Sequence, residues 1–241
     1  MKNLGLSVSF LERFAGADGD SGEFDRQKFW EHSIACGVAA RLLATKLRYR
    51  VPGEAFAAGI LHDIGRLILS QYFPDEFGQV LALMREENLY IGEAEERILG
   101  VTHADVGGWL AERWNLPRQL EETIASHHAP GRLGRGNDLP SLIHLADFLC
   151  RREKIGDGGG ERLPKLDPAA LRTFGIHEEP RAALKRIFGY GEELQREMET
   201  ADAFTNLVRE EETKAEDAAA ENAGDDESQA DPSPADQVGG D

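Results

Sequence analysis

Residues 55–72 read AFAAGILHDIGRLILSQY, and this stretch decides the fold. Phe56, Ala57, Ala58, Ile60, Leu61, Ile64, Leu67, Ile68 and Leu69 make a nearly continuous apolar run with no strict alternation, which predicts one helix from Pro52, buried on most sides. Inside that run stands the dipeptide His62-Asp63. A carboxylate buried there without a counter-charge costs several kcal/mol or takes up a proton, so Asp63 needs a partner. A divalent cation held together with imidazoles is one partner that also explains His62.

Working outward, the chain continues as helices. Asp25 is positioned to cap FWEHSIACGVAARLLATKL, and Pro74 opens FGQVLALMREEN. Thr102 and Asp105 have the spacing of a capping box at the start of THADVGGWLAERW. Pro117 precedes RQLEETIASHH, Pro140 precedes SLIHLADFLCRR, and Pro168 opens AALRTF. Leu194, Met198, Ala201, Thr205 and Val208 recur at helical spacing and predict a last helix. Residues 131–138 and 155–165 are Gly-rich and polar and read as exposed loops.

Five of the seven histidines lie in helical contexts among acids. Taken singly, each has a plain structural reading. His32 suits a satisfied core position, the pair His127-His128 suits the negative end of a helix, and His144 with Asp147 suits a hydrogen-bonded pair on one face. His177, before two glutamates, reads as surface. Spacing alone leaves metal ligation and these readings both open.

Charge narrows the partners. The 241 residues carry a formal charge of −17, and residues 209–241 hold twelve acids against two bases. So acidic a surface repels phosphate backbones and anionic bilayers, so neither nucleic acid nor membrane is expected as a partner. The C-terminal stretch has too little apolar side chain to offset its ordering entropy and reads as a disordered acidic tail, 209–241, behind a helical domain, 1–208. No apolar run approaches a bilayer span and no signal-peptide pattern opens the chain, which gives a cytoplasmic expectation. Cys36 and Cys150 fall in apolar helices and read as core thiols.

The segments FWEHSIACGVAARLLA, AFAAGILHDIGRLIL, ILGVTHADVGGWLAERWNLP and SLIHLADFL, in this order, resemble the HDOD family (HD-related output domain), a bacterial signalling branch of the HD phosphohydrolase superfamily. The resemblance runs from about Leu4 to Phe148 and implies an all-α HD-superfamily helical bundle. The superfamily pattern H…HD…D maps onto His32, His62, Asp63 and Asp147. The second site of two-metal members such as the HD-GYP phosphodiesterases maps onto His103, His127 and His128. Asp63 would be the bridging ligand, and manganese, iron, nickel or zinc all suit such a donor set.

The resemblance also has departures. HD-GYP proteins carry Lys where this chain has Arg66, and their GYP loop has no counterpart after His127-His128, where the chain reads APGRLGRGND. HDOD domains usually have helices before the point at which this chain begins, so the domain is expected to be N-terminally short here and Leu4, Leu6, Val8, Phe10 and Leu11 are expected to need cover. The leading expectation is a signal-transduction output module acting through a signalling protein partner, with a retained metal-ligand set. The alternative is a divalent-metal phosphohydrolase acting on a phosphorylated small molecule. Asp63 and Arg66 would then serve catalysis, and cyclic di-GMP is not an expected substrate. A third expectation is nucleotide sensing without turnover.

Overall fold

The computed structural model describes residues 24–134, 137–156, 160, 162–177 and 179–200. Among them there is no strand, and the architecture is an all-α HD-like bundle. Its elements are α1 (Arg26–Lys46), α2 (Pro52–Leu61), α3 (Ile64–Tyr72), α4 (Pro74–Glu86), α5 (Ile91–Ile98), α6 (His103–Arg113) and α7 (Arg118–Ser126). A 3-10 turn (Pro130–Leu133), α8 (Asp138–Glu153), α9 (Pro168–Thr173) and α10 (Pro180–Phe188) follow. These belong to a compact unit that ends at Gln195. Residues 196–200 of the second unit are helical. The acidic tail, the N-terminal apolar cluster, and Ala201, Thr205 and Val208 lie outside the described residues. No described helix is long and apolar enough to cross a membrane.

Local chemistry sets the helix starts. The Asp25 side chain accepts from the Lys28 amide, and Thr102 with Asp105 forms the reciprocal capping box. Pro52, Pro74 and Pro168 occupy first-turn positions whose amides need no intrahelical acceptor. α8 begins two residues before Pro140, which sits in its first turn.

α8 is the central element. Every residue from Leu139 to Arg151 is buried, and α1, α2, α7, α9 and α10 pack around it. A second apolar cluster, including Phe29, Ile64, Leu67, Phe77, Val80, Ile91 and Ile124, joins α1 to α3–α7. Two backbone approaches bring these layers together. A Cβ at Gly59 would lie 2.6 Å from the Gly37 Cα, so α1 and α2 cross almost backbone to backbone. A Cβ at Gly65 would overlap the His103 carbonyl, which seats α3 directly on the first turn of α6.

The apolar run that predicts one helix is two. The chain breaks at His62 and Asp63, between α2 and α3. His62 Nδ1 donates to the Gly59 carbonyl at 2.7 Å, the carbonyl that an uninterrupted helix would offer to the Asp63 amide. The imidazole thus takes a backbone acceptor, and the helix resumes at Ile64. The loop readings also need correction. Part of 131–138 belongs to the 3-10 turn and to α8, and Asn137 is buried, donating to the Pro130 carbonyl.

Candidate metal centre

Five elements deliver polar groups to one place in an otherwise apolar bundle. α1 brings His32, the α2–α3 break brings His62 and Asp63, α6 brings His103, the end of α7 brings His127 and His128, and α8 brings Asp147. Six of the seven are buried, and His128 is partly exposed. They fall into two sets, Asp63–His103–His127–His128 and His32–His62–Asp147, and within each set the ligand atoms lie within 4.8 Å of one another. That is the scale of donors around an ion with metal–ligand bonds of about 2.0–2.2 Å.

Asp63 is the hub of the first set. Its Oδ1 lies 3.2 Å from His103 Nε2, 3.3 Å from His127 Nε2 and 3.4 Å from His62 Nε2. Asp147 is the hub of the second, with Oδ1 3.0 Å from His32 Nε2 and 3.9 Å from His62 Nε2. His62 therefore faces both carboxylates.

Imidazole orientation follows from what holds the outer nitrogens. Nδ1 of His62 faces the Gly59 carbonyl, that of His127 the Ile124 carbonyl at 2.8 Å, and that of His32 the Ile155 carbonyl at 3.3 Å. His103 Nδ1 lies 2.7 Å from Glu95 Oε2. In the neutral rings of His62 and His127 the proton therefore sits on Nδ1 and Nε2 presents its lone pair to the centre, whereas His32 Nε2 is hydrogen-bonded to Asp147 Oδ1 and His103 Nε2 lies 2.8 Å from His128 Nε2. His62 Nε2, His127 Nε2, Asp63 Oδ1 and Asp147 Oδ2 are buried with no hydrogen-bond partner among the described residues. Leaving four such acceptors unmatched is costly, and each is an atom that a cation would take. The residues present fit a divalent metal pair.

Electrostatics agree. Burial raises the Asp63 carboxyl, yet His62 and His103 hold it well below the usual carboxylate range. Burial likewise opposes ionisation of Asp147, and Arg151 and His32 more than offset it. Burial pulls His103 down, but Glu95 and Asp63 on either side push it up to about 9. Burial, together with His127 and His103, keeps His128 neutral, well below its ordinary value.

The other sequence candidates sort cleanly. Arg66 is fully buried, with Nη1 3.2 Å from Asp63 Oδ2 and its guanidinium over the rings of Phe24 and Phe29. It grips the carboxylate on the oxygen away from the imidazoles. His144 is not paired with Asp147. Its Nδ1 donates to the His127 carbonyl at 2.8 Å, and its Nε2 accepts from the Asp167 amide at 2.9 Å, so it braces the His127 backbone. His177 is exposed, and both cysteines are buried and free.

Three contributors escaped the sequence reading. Glu95, buried on α5, also accepts from the His103 amide at 3.0 Å. Tyr90 places its hydroxyl 2.8 Å from a ring nitrogen of His128. Arg151 donates from Nε to Asp147 Oδ1 at 2.7 Å. The i, i+4 spacing of Asp147 and Arg151 was a usable signal, whereas nothing local links Glu95 to His103.

This helical bundle with an H…HD…D constellation defines an HD-type protein. The HDOD domain family model matches residues 1–130, and the chain belongs to that family. A Treponema pallidum protein of uncharacterised function is 27% identical over 181 residues, covering 74% of this chain and 34% of that one. Ribonuclease Y of Deinococcus radiodurans is 27% identical over 177 residues, covering 67% and 30%. The chain thus spans about a third of the length of these curated relatives. Among solved structures, an HDOD domain protein of unknown function from Geobacter sulfurreducens superposes with TM-score 0.59 at 26% identity, covering 79% of this chain and 63% of that one. A Marinobacter aquaeolei protein assigned to signal transduction shares the fold, with TM-score 0.60 at 24% identity over 79% of this chain and 40% of that one.

Proposed function

We propose that this HDOD domain is a signal-transduction module whose bundle closes around a divalent-metal pair held by His32, His62, Asp63, His103, His127, His128 and Asp147. The observation that carries the reading is the set of four histidines with Nδ1 on an acceptor and Nε2 turned inward, beside orphaned carboxylate oxygens. Such a centre ties five elements together, and binding to the folded state alone stabilises it. The burial of six of the seven side chains favours a centre that organises a protein-contact surface over one built for turnover. A signalling protein is the partner this reading requires. Mixed imidazole and carboxylate donors suit manganese, iron, nickel or zinc.

The second reading is a metal-dependent phosphohydrolase, favoured by the completeness of the two sets and by the likeness to a protein named as a ribonuclease. Bound divalent cations would supply Lewis acidity toward phosphoryl oxygens. In that reading Asp63, with the histidines around it, would help hold the cations, and His128 with Tyr90 is the less buried edge. The experiment is a phosphoester panel, including cyclic di-GMP, presented to the full chain with added manganese. The signalling reading expects every substrate to remain intact. Robust turnover that His62→Ala abolishes would replace it with the hydrolase.

A further inference from the structure

Arg151 has one end in use and one end open. Its Nε holds Asp147 Oδ1, while Nη1 and Nη2 are buried with no hydrogen-bond partner among the described residues. The side chain is 2% exposed. A buried guanidinium with both terminal nitrogens unmatched is expensive, because each lost its water without gaining an acceptor. Its flat face is covered, since Cζ lies 5.6 Å from the Tyr90 ring centroid. The open part is therefore the edge, which is the part that binds oxyanions.

The geometry points to Arg151 as the oxyanion-binding residue of the metal centre, taking a phosphoryl group on its Nη edge between Asp147 and Tyr90. This rests on the metal reading above and adds to it what the centre binds. Tyr90 and His128 are partly exposed and meet at 2.8 Å, and the Tyr90 ring lies 5.6 Å from Arg151 Cζ, so the guanidinium sits next to the least buried side of the centre. A planar fork matches two oxygens of a tetrahedral phosphoryl group. Arg66 cannot do this. It lies behind Asp63, enclosed by Phe24 and Phe29. The site would then report the presence of a phosphorylated ligand to the surrounding helices, because Arg151 also fixes a metal-ligand candidate.

The test uses the full chain loaded with manganese. Metal content is measured first, and then the calorimetric affinity for inorganic phosphate, phenyl phosphate and acetate. Wild type is expected to bind phosphate or phenyl phosphate in preference to acetate, and whichever of the two binds more tightly identifies the free anion or an ester as the source. Arg151→Lys keeps a cation beside Asp147 but loses the fork. It is expected to keep the wild-type metal content and to weaken phosphoryl binding about tenfold or more, the order of one charge-assisted hydrogen bond. Wild type that holds metal but binds no phosphoryl group overturns the inference and leaves the metal reading intact. Unchanged phosphoryl affinity in Arg151→Lys also overturns it, as does loss of metal in that variant, because Arg151 would then act only through Asp147. Wild type that takes up no metal overturns both the metal reading and the inference built on it.

Discussion

Arg66 holds the outer oxygen of Asp63, Nη1 to Oδ2 at 3.2 Å, and leaves Oδ1 to three imidazoles. The two residues are one helical turn apart, so the pair is set by α3 itself, and the anchored carboxylate cannot rotate away from the histidines. Removing the guanidinium would strand a buried charge. Arg66→Ala should lower the stability of metal-free protein by about 3–5 kcal/mol, the usual cost of breaking a buried pair. Urea unfolding at neutral pH measures it, and adding Asp63→Asn should recover part of the loss. A change below about 1 kcal/mol, the range of exposed pairs, would show that the contact is not what holds Asp63.

Glu95 orients His103 through both the ring and the backbone amide. Glu95→Ala should weaken metal binding by about 10–100-fold, as loss of such a supporting carboxylate does elsewhere. Chelator competition gives the affinity and circular dichroism checks the fold. Wild-type affinity in a folded variant would remove Glu95 from the account.

The position of His103 also sets a pH dependence. Glu95 and Asp63 raise its pKa to about 9, so the metal-free protein holds a proton there at neutral pH. A cation must displace that proton, and apparent metal affinity should therefore rise with pH and level off above about 9. Proton release on metal addition, followed in two buffers by calorimetry, should be substantial at pH 7 and fall away near pH 10. Equal release at both values would contradict the assignment.

α3 and α6 carry Asp63 and His103, and Gly65 lets them meet. Gly65→Ala would push a methyl group into the His103 carbonyl and should cost about 1–3 kcal/mol by overpacking while also weakening metal binding. Gly53→Ala, in the first turn of α2 with nothing within 4 Å, is the control and should be neutral or slightly stabilising. Equal behaviour of the two variants would mean that the helix contact is slack.

Much of this arrangement is legible in the sequence, for identifiable reasons. Helix starts carry their own chemistry, so Asp25, Pro74 and the Thr102–Asp105 box could be read without tertiary information. The α2–α3 break could not. Its cause is a side chain taking a backbone acceptor, and apolar periodicity runs straight through it. α5, the helix that carries Glu95, lacked a recognisable start and was missed. The ligand set was read through the family pattern, because His32 and Asp147 are 115 residues apart and no local spacing joins them. The contact of Arg66 with Asp63 was illegible for a related reason. Its place behind the carboxylate depends on Phe24 and Phe29 closing over it.

The central claim is that seven side chains form a metal centre with two sets of donors. Metal analysis by inductively coupled plasma mass spectrometry, on full chain freed of loose ions by gel filtration, tests it most directly. The account predicts two divalent ions per chain, one for each set, and their loss in Asp63→Ala, which removes the hub of one set and a neighbour of His62 in the other. Wild type that emerges metal-free after incubation with manganese, iron, nickel or zinc, or an Asp63→Ala variant with unchanged content, would contradict it.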